Sequence, residues 1–223
     1  MTDSENDYSP ERRPIASREK AISKRLAARL AAAGVSPNAI STAGMIAGIS
    51  SGVAFALSPQ APMPWLVTAA VLMQLRLLAN MLDGMVAVAT DRASPVGELF
   101  NEVPDRVSDT AIFIGAGFAA GGDPVAGFLA ALAAMFTAYL RAEGKVAGAH
   151  QEFCGPMAKP QRMFLLTVAT LYAALAPSSW QAELPSPLHG GTLALTLWLI
   201  AAGSILTAIR RLTRIARALR QGP

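Results

Sequence analysis

Six carboxylates fall within thirty residues of this chain, at Asp83, Asp91, Glu98, Glu102, Asp105 and Asp109, although the whole sequence holds only 15 acidic residues. If the surrounding segments are helical, positions three and four apart share a face. Asn80, Asp83, Gly84 and Ala87 then form one stripe. Glu98, Asn101, Glu102, Asp105 and Asp109 lie within an arc of about 100°. Carboxylates grouped in this way repel one another unless a cation neutralises them, and hard oxygen donors suit Mg²⁺, Mn²⁺ or Ca²⁺. Of these, Mg²⁺ and Mn²⁺ suit phosphate chemistry, because they bridge and neutralise phosphate oxygens. Gly84 and Ala87 leave room for a ligand to approach the backbone. The plainer reading of the same residues is a set of capping and surface acids at two helix ends.

What must position these groups is apolar. The 223 residues are 52% hydrophobic and 15% charged, with a net charge of +4. Soluble domains average about 25% charged, so the excess of apolar residues points to a membrane. Ionised side chains there are costly unless they line a cavity or a site. The single cysteine, Cys154, excludes an internal disulfide framework and a cysteine-based zinc site. His150 and Cys154 read as a solvated loop residue and a packing residue.

In chain order, residues 1–16 read as a disordered polar tail with no signal-peptide h-region. Residues 17–34 read as an amphipathic interfacial helix, with Ile22, Leu26 and Leu30 on one face and Arg18, Lys20, Lys24, Arg25 and Arg29 around it. Residues 35–223 read as one domain of six transmembrane helices, over 38–57, 65–89, 97–120, 125–146, 162–176 and 192–209. Each is of a length suited to a bilayer core of about 30 Å, the fifth being the shortest. Small residues in the first allow close helix packing. Apart from Arg76 and Arg106 within spans, every lysine and arginine falls before the first span, in or beside the second and fourth loops, or after the last span. The other three loops have none. The positive-inside rule therefore predicts an all-α membrane protein with both termini cytoplasmic. The polar ends of spans two and three meet on that side, and their short connection makes them antiparallel neighbours across a cytosol-open cavity. Arg76 is expected to pair with a nearby acid or a backbone carbonyl. The terminal run RRLTRIARALR is expected to hold anionic lipid headgroups.

With these residues in view, the chain resembles the CDP-alcohol phosphatidyltransferase family, whose signature is D-x2-D-G-x2-A-R-x8-G-x3-D-x3-D. Laid over residues 80–105, the spacing holds without a gap. Asp83, Gly84, Ala87, Gly97 and Asp105 match, whereas Asn80, Val88 and Asn101 stand where the family has Asp, Arg and Asp. The six-span layout and the segment Ser36-Pro37-Asn38-Ala39-Ile40-Ser41 before the first span also fit. The resemblance implies transfer of a phosphatidyl-type group from a CDP-alcohol such as CDP-diacylglycerol to a hydroxyl acceptor, with release of CMP, in phospholipid biosynthesis at the bacterial inner membrane. It implies Mg²⁺ or Mn²⁺, one or two ions, with Asp83 and Asp105 as ligands and Asp105 as base. Gly84, Ala87 and Gly97 would border the nucleotide.

The departures reshape that expectation. Asn80 and Asn101 keep a carbonyl oxygen for a cation but remove two charges, so a second ion should bind weakly. Glu98 and Glu102, on the Asp105 face, are read as compensating ligands, and Arg92 as the substitute for the missing arginine at Val88. Arg141, Lys159 and Arg162 frame the fourth loop and are read as binding an acceptor or lipid phosphate. Membrane lipids are expected partners, a homodimer fits, and nucleic acid is not expected. Two other readings stand beside this one. One is a catalytically impaired relative that binds CDP-lipid or partners another membrane enzyme. The other is a small transporter with the acids as an ion path.

Overall fold

The computed structural model describes residues 20–92, 94–181, 183–185 and 189–221. The expected tail, 1–16, and the first residues of the interfacial helix lie outside them. Among the described residues there are seven α-helices and no strand. They are α1 (Ala21–Ala32), α2 (Pro37–Leu57), α3 (Pro62–Ala89), α4 (Pro95–Gly117), α5 (Pro124–Val146), α6 (Lys159–Leu175) and α7 (Thr192–Gln221), with one 3₁₀ turn at Ser178–Trp180.

Proline and a cap set three of the seven starts. Pro37, Pro95 and Pro124 open α2, α4 and α5, where a missing N–H costs nothing and the fixed φ suits the helix. Just before them, Ser36, Ser94 and Asp123 accept from backbone N–H groups of the first turn. Pro62 likewise starts α3 three residues before the expected position at Trp65. The basic terminal run does not leave the helix: α7 continues for 30 residues, about 45 Å. Its last turns therefore extend well past a hydrocarbon core of about 30 Å.

Small residues decide the packing. Gly44 of α2 faces Ala79 and Arg76 of α3, while Gly48 and Gly52 face Ser108 and Ala111 of α4. A Cβ added at Gly115 would run into the Gly52 backbone. Both α3 and α4 therefore close onto α2, and they touch each other little. The expectation that they are neighbours across a cavity stands, with α2 as the helix that joins them. Each uses its small-residue contact for α2, and the space left between them is a cavity.

The main core is apolar, with Phe55, Leu66, Met73, Ile112, Phe113, Leu166 and Leu197 buried together. Yet Ser51, Ser108, Thr170, Ser204 and Thr207 are fully buried too, while Ile46, Val71, Phe128, Leu132 and Ile205 lie exposed on outward faces. Apolar side chains facing outward and small polar ones facing inward suit a lipid surround. Four helices, α2, α3, α5 and α7, are long and apolar enough to cross a membrane, and the chain is an integral membrane protein. α1, within the segment read as an interfacial helix, is partly docked on protein. Leu26, Ala27 and Leu30 pack with Ile40, Leu82 and Val86, whereas Ile22 stays 77% exposed.

Candidate functional site

The helices alternate in direction, so the start of α2, the end of α3, the start of α4, the end of α5, the start of α6 and the end of α7 share one end of the bundle. A cavity of about 1030 Å³ opens there. Asn80, Asp83, Gly84, Ala87, Arg92, Gly97, Asn101, Glu102, Asp105, Arg141, Lys159 and Arg162 all line it. The side chain of Glu98 lies outside the described residues.

Asp83 projects from α3 and is buried. Its Oδ2 accepts from the Ser41 hydroxyl of α2 at 2.7 Å, and its Oδ1 accepts from the Gly84 N–H. Both donors are neutral, and no ion pair reaches it among the described residues. Ser41 is positioned one turn after the Ser36 cap and Pro37, so the sequence that starts α2 also places the hydroxyl. The amides of Asn80 and Asn101 are half-buried on the cavity wall. Neither has a hydrogen-bonding partner among the described residues.

Asp105, on α4, meets a different environment. The Arg76 guanidinium from α3 pairs with its Oδ1, and Lys159 Nζ from α6 lies 2.8 Å from its Oδ2. Arg106 stands 3.5 Å from the same oxygen. Lys159 also bridges to Asp109 Oδ1 at 3.1 Å. Asp109 does not line the cavity and sits buried behind Asp105. Glu102 has both oxygens engaged, by Arg106 at 2.9 Å and by Arg141, whose guanidinium also lies 5.4 Å from the Phe153 ring centre. The expected pairing of Arg76 with an acid is thus realised, with Asp105 as the acid.

These contacts change the electrostatic reading. The acids were expected to repel until a metal arrived, but on the α4 side lysine and arginine side chains already neutralise them. Two unit charges at 4 Å attract by about 4 kcal/mol at the effective dielectric of a protein site. Four cations (Arg76, Arg106, Arg141 and Lys159) face three anions (Glu102, Asp105 and Asp109) there. Among the described residues, no three acidic, histidine or cysteine side chains converge as a preformed metal cluster. Glu102, read as a compensating ligand, is held by Arg106 and Arg141.

The far wall is cationic as well. Arg162 donates to Thr137 Oγ1 at 3.1 Å and to the Met157 carbonyl at 2.9 Å. Arg211 of α7 donates to the Thr137 and Cys154 carbonyls. The loop before α6 is pinned to α7, since Met157 N–H donates to Thr207 Oγ1 at 3.0 Å and Gly155 packs on Thr207 with φ of 125°. That φ favours glycine. Ser41, Arg106 and Arg211 are the residues that sequence reasoning missed. Arg211 sat inside a run that reads as lipid-facing charge, and only its burial, at 5% exposed, sets it apart.

Comparison with known proteins bears on this geometry. The sequence pattern of the CDP-alcohol phosphatidyltransferase family matches residues 34–209. A phosphatidylinositol phosphate synthase of Streptomyces avermitilis is 28% identical over 200 residues, 86% of this chain and 76% of that protein. An archaetidylinositol phosphate synthase of Pyrococcus horikoshii is 26% identical over 156 residues, 68% of this chain and 78% of that protein. The crystal structure of Mycobacterium tuberculosis phosphatidylinositol phosphate synthase with manganese and citrate superposes with a TM-score of 0.69 at 21% identity, over 87% of this chain and 88% of that one. The same enzyme with CDP-DAG bound gives a TM-score of 0.68 at 22% identity, over 88% of this chain and 94% of that one.

Proposed function

This chain belongs to the CDP-alcohol phosphatidyltransferase family, and from that premise we propose that it moves the phosphatidyl group of CDP-diacylglycerol onto a phosphorylated polyol of the inositol phosphate type. The donor is suggested by the relative that binds CDP-DAG, and the acceptor by the relatives named for inositol phosphate products. The observation that carries the acceptor reading is the cation excess of the cavity. Arg92, Arg106, Arg141, Lys159, Arg162 and Arg211 line it against Asp83, Glu102 and Asp105. Fewer positive charges would serve a neutral alcohol, whereas a phosphorylated acceptor and a diphosphate donor together bring several negative ones.

The family reaction requires the acceptor hydroxyl to lose its proton and attack the β-phosphorus. A new P–O ester bond forms, the bond to the bridging oxygen breaks, and CMP leaves with that electron pair. Asp105 is positioned to take the proton, its carboxylate held in place by Arg76 and Lys159. Arg141, Lys159, Arg162 and Arg211 border the part of the cavity assigned to the acceptor phosphate. Gly84, Ala87, Gly97 and Arg92 border the part assigned to the nucleotide. Val96, Leu78 and Phe164 add an apolar lining suited to acyl chains.

The donor set fits a divalent ion on the α3 side. Asp83 is held by neutral groups, the amide oxygen of Asn80 on the same helix is a hard ligand, and that of Asn101 faces the same cavity from α4. Mn²⁺ or Mg²⁺ bound there supplies charge neutralisation to the diphosphate. The reading further places six spans in the inner membrane, with both termini and the cavity mouth at the cytosol. It is supported by the collection of lysines and arginines at one end of the bundle. α1, with Lys24, Arg25 and Arg29 exposed, would lie on the anionic leaflet.

Purified protein in nanodiscs, given CDP-diacylglycerol and Mn²⁺, should release CMP with inositol phosphate and not with inositol or serine. CMP release with an unphosphorylated acceptor alone would overturn the acceptor assignment. No release with any acceptor would overturn the transferase reading.

A further inference from the structure

We infer that this chain uses one divalent ion, held from the Asp83 side, and that Arg76 and Lys159 occupy by charge the place of a second ion at Asp105. The inference rests on the proposed metal-assisted reading of the cavity and narrows it. The signature it resembles carries two aspartates on each helix, whereas here Asn80 and Asn101 leave one apiece. A protein that loses two charges from a metal cluster can leave the remaining acids short of a cation or supply one from its own side chains. The geometry points to the second at Asp105.

Three features make that substitution structural. Arg76 is 2% exposed and reaches Asp105 from α3, where the close approach of Gly44 to Ala79 holds α3 against α2. Its Nε already lacks a partner. A metal that took Asp105 would remove the one carboxylate Arg76 pairs with, leaving a buried guanidinium with no ion pair, which is strongly unfavourable. Lys159 is also constrained. It is the first residue of α6, and the loop before it is tied to α7 through Thr207 and Arg211. Its ammonium lies between Asp105 and Asp109. Asp83 shows the opposite pattern. Arg76 and Lys159 act on its charge from a distance, but its direct donors among the described residues are Ser41 and Gly84.

The test is metal stoichiometry, which does not depend on turnover. The purified full chain is titrated with Mn²⁺ in the presence of CDP-diacylglycerol, with calorimetry for the count and electron paramagnetic resonance for coupling between ions. One Mn²⁺ per chain with an uncoupled spectrum is expected. Asp83→Asn should weaken that binding by at least the roughly 10–100-fold that loss of an outer-shell partner costs, and Asp105→Asn should change it far less. The unaltered chain alone decides the count, so a variant that fails to fold does not stall the test. Two ions per chain, a spin-coupled pair, equal losses for the two variants, or no ion at all would each overturn the inference. A wrong acceptor leaves the Mn²⁺ count unchanged, and so fails separately.

Discussion

Asp83 and Asp105 are both buried on the wall of one cavity, one on α3 and the other on α4, and each stands near an asparagine of the same signature. Their neighbours differ in kind. Asp83 accepts from a hydroxyl and a backbone N–H, whereas Asp105 is clasped by a guanidinium and an ammonium from two other helices, with a second guanidinium nearby. A carboxylate held by neutral donors keeps its charge available to a ligand ion. A carboxylate held by fixed cations has that charge already balanced, and the cations fix its direction at some cost to its basicity. Two halves of a motif with matching composition are thereby suited to different work.

The strongest way to break this division is to remove the proton acceptor. Asp105→Ala should lower CMP release by about 10²–10⁴-fold, as loss of a general base does, while Mn²⁺ binding persists. Loss of both together would merge the two halves. Arg76→Met should come next, because it leaves Asp105 short of a partner in a buried setting. A stability loss of about 3–5 kcal/mol is expected, read as a fall in the thermal unfolding midpoint. Ser41→Ala removes the corresponding neutral partner of Asp83 and should cost about 1–3 kcal/mol. If it destabilises as much as Arg76→Met, the contrast between neutral and ionic support is mistaken. The smallest effect is expected from Asn80→Asp, which adds a charge on the metal side and should tighten Mn²⁺ by up to about tenfold. Asn101→Asp, on the α4 side, should do so less.

Much of the molecule was legible early. The apolar runs placed the starts of α2, α4 and α5 within one or two residues of Pro37, Pro95 and Pro124. Twelve of the residues singled out from the sequence line the cavity; helical periodicity grouped those on α3 and α4, while the family signature and the basic fourth loop supplied Arg92, Gly97, Arg141, Lys159 and Arg162. The ion pair of Glu102 with Arg141 was not legible, since the place of Glu102 on the Asp105 face said nothing of a residue that arrives from another helix. Ser41 and Arg211 were passed over for the same reason.

The linear order of residues therefore determined the helices, the polar end of the bundle and the family. These follow from local periodicity, from capping and from the cost of leaving charges in lipid. Only the folded bundle decided which cation meets which acid. Arg76 and Asp105 are 29 residues apart in the chain, and they meet because Gly44, Gly48, Gly52 and Gly115 let α3 and α4 close on α2. Contacts of that kind depend on how near two helix axes come, and helical period carries no information about that distance.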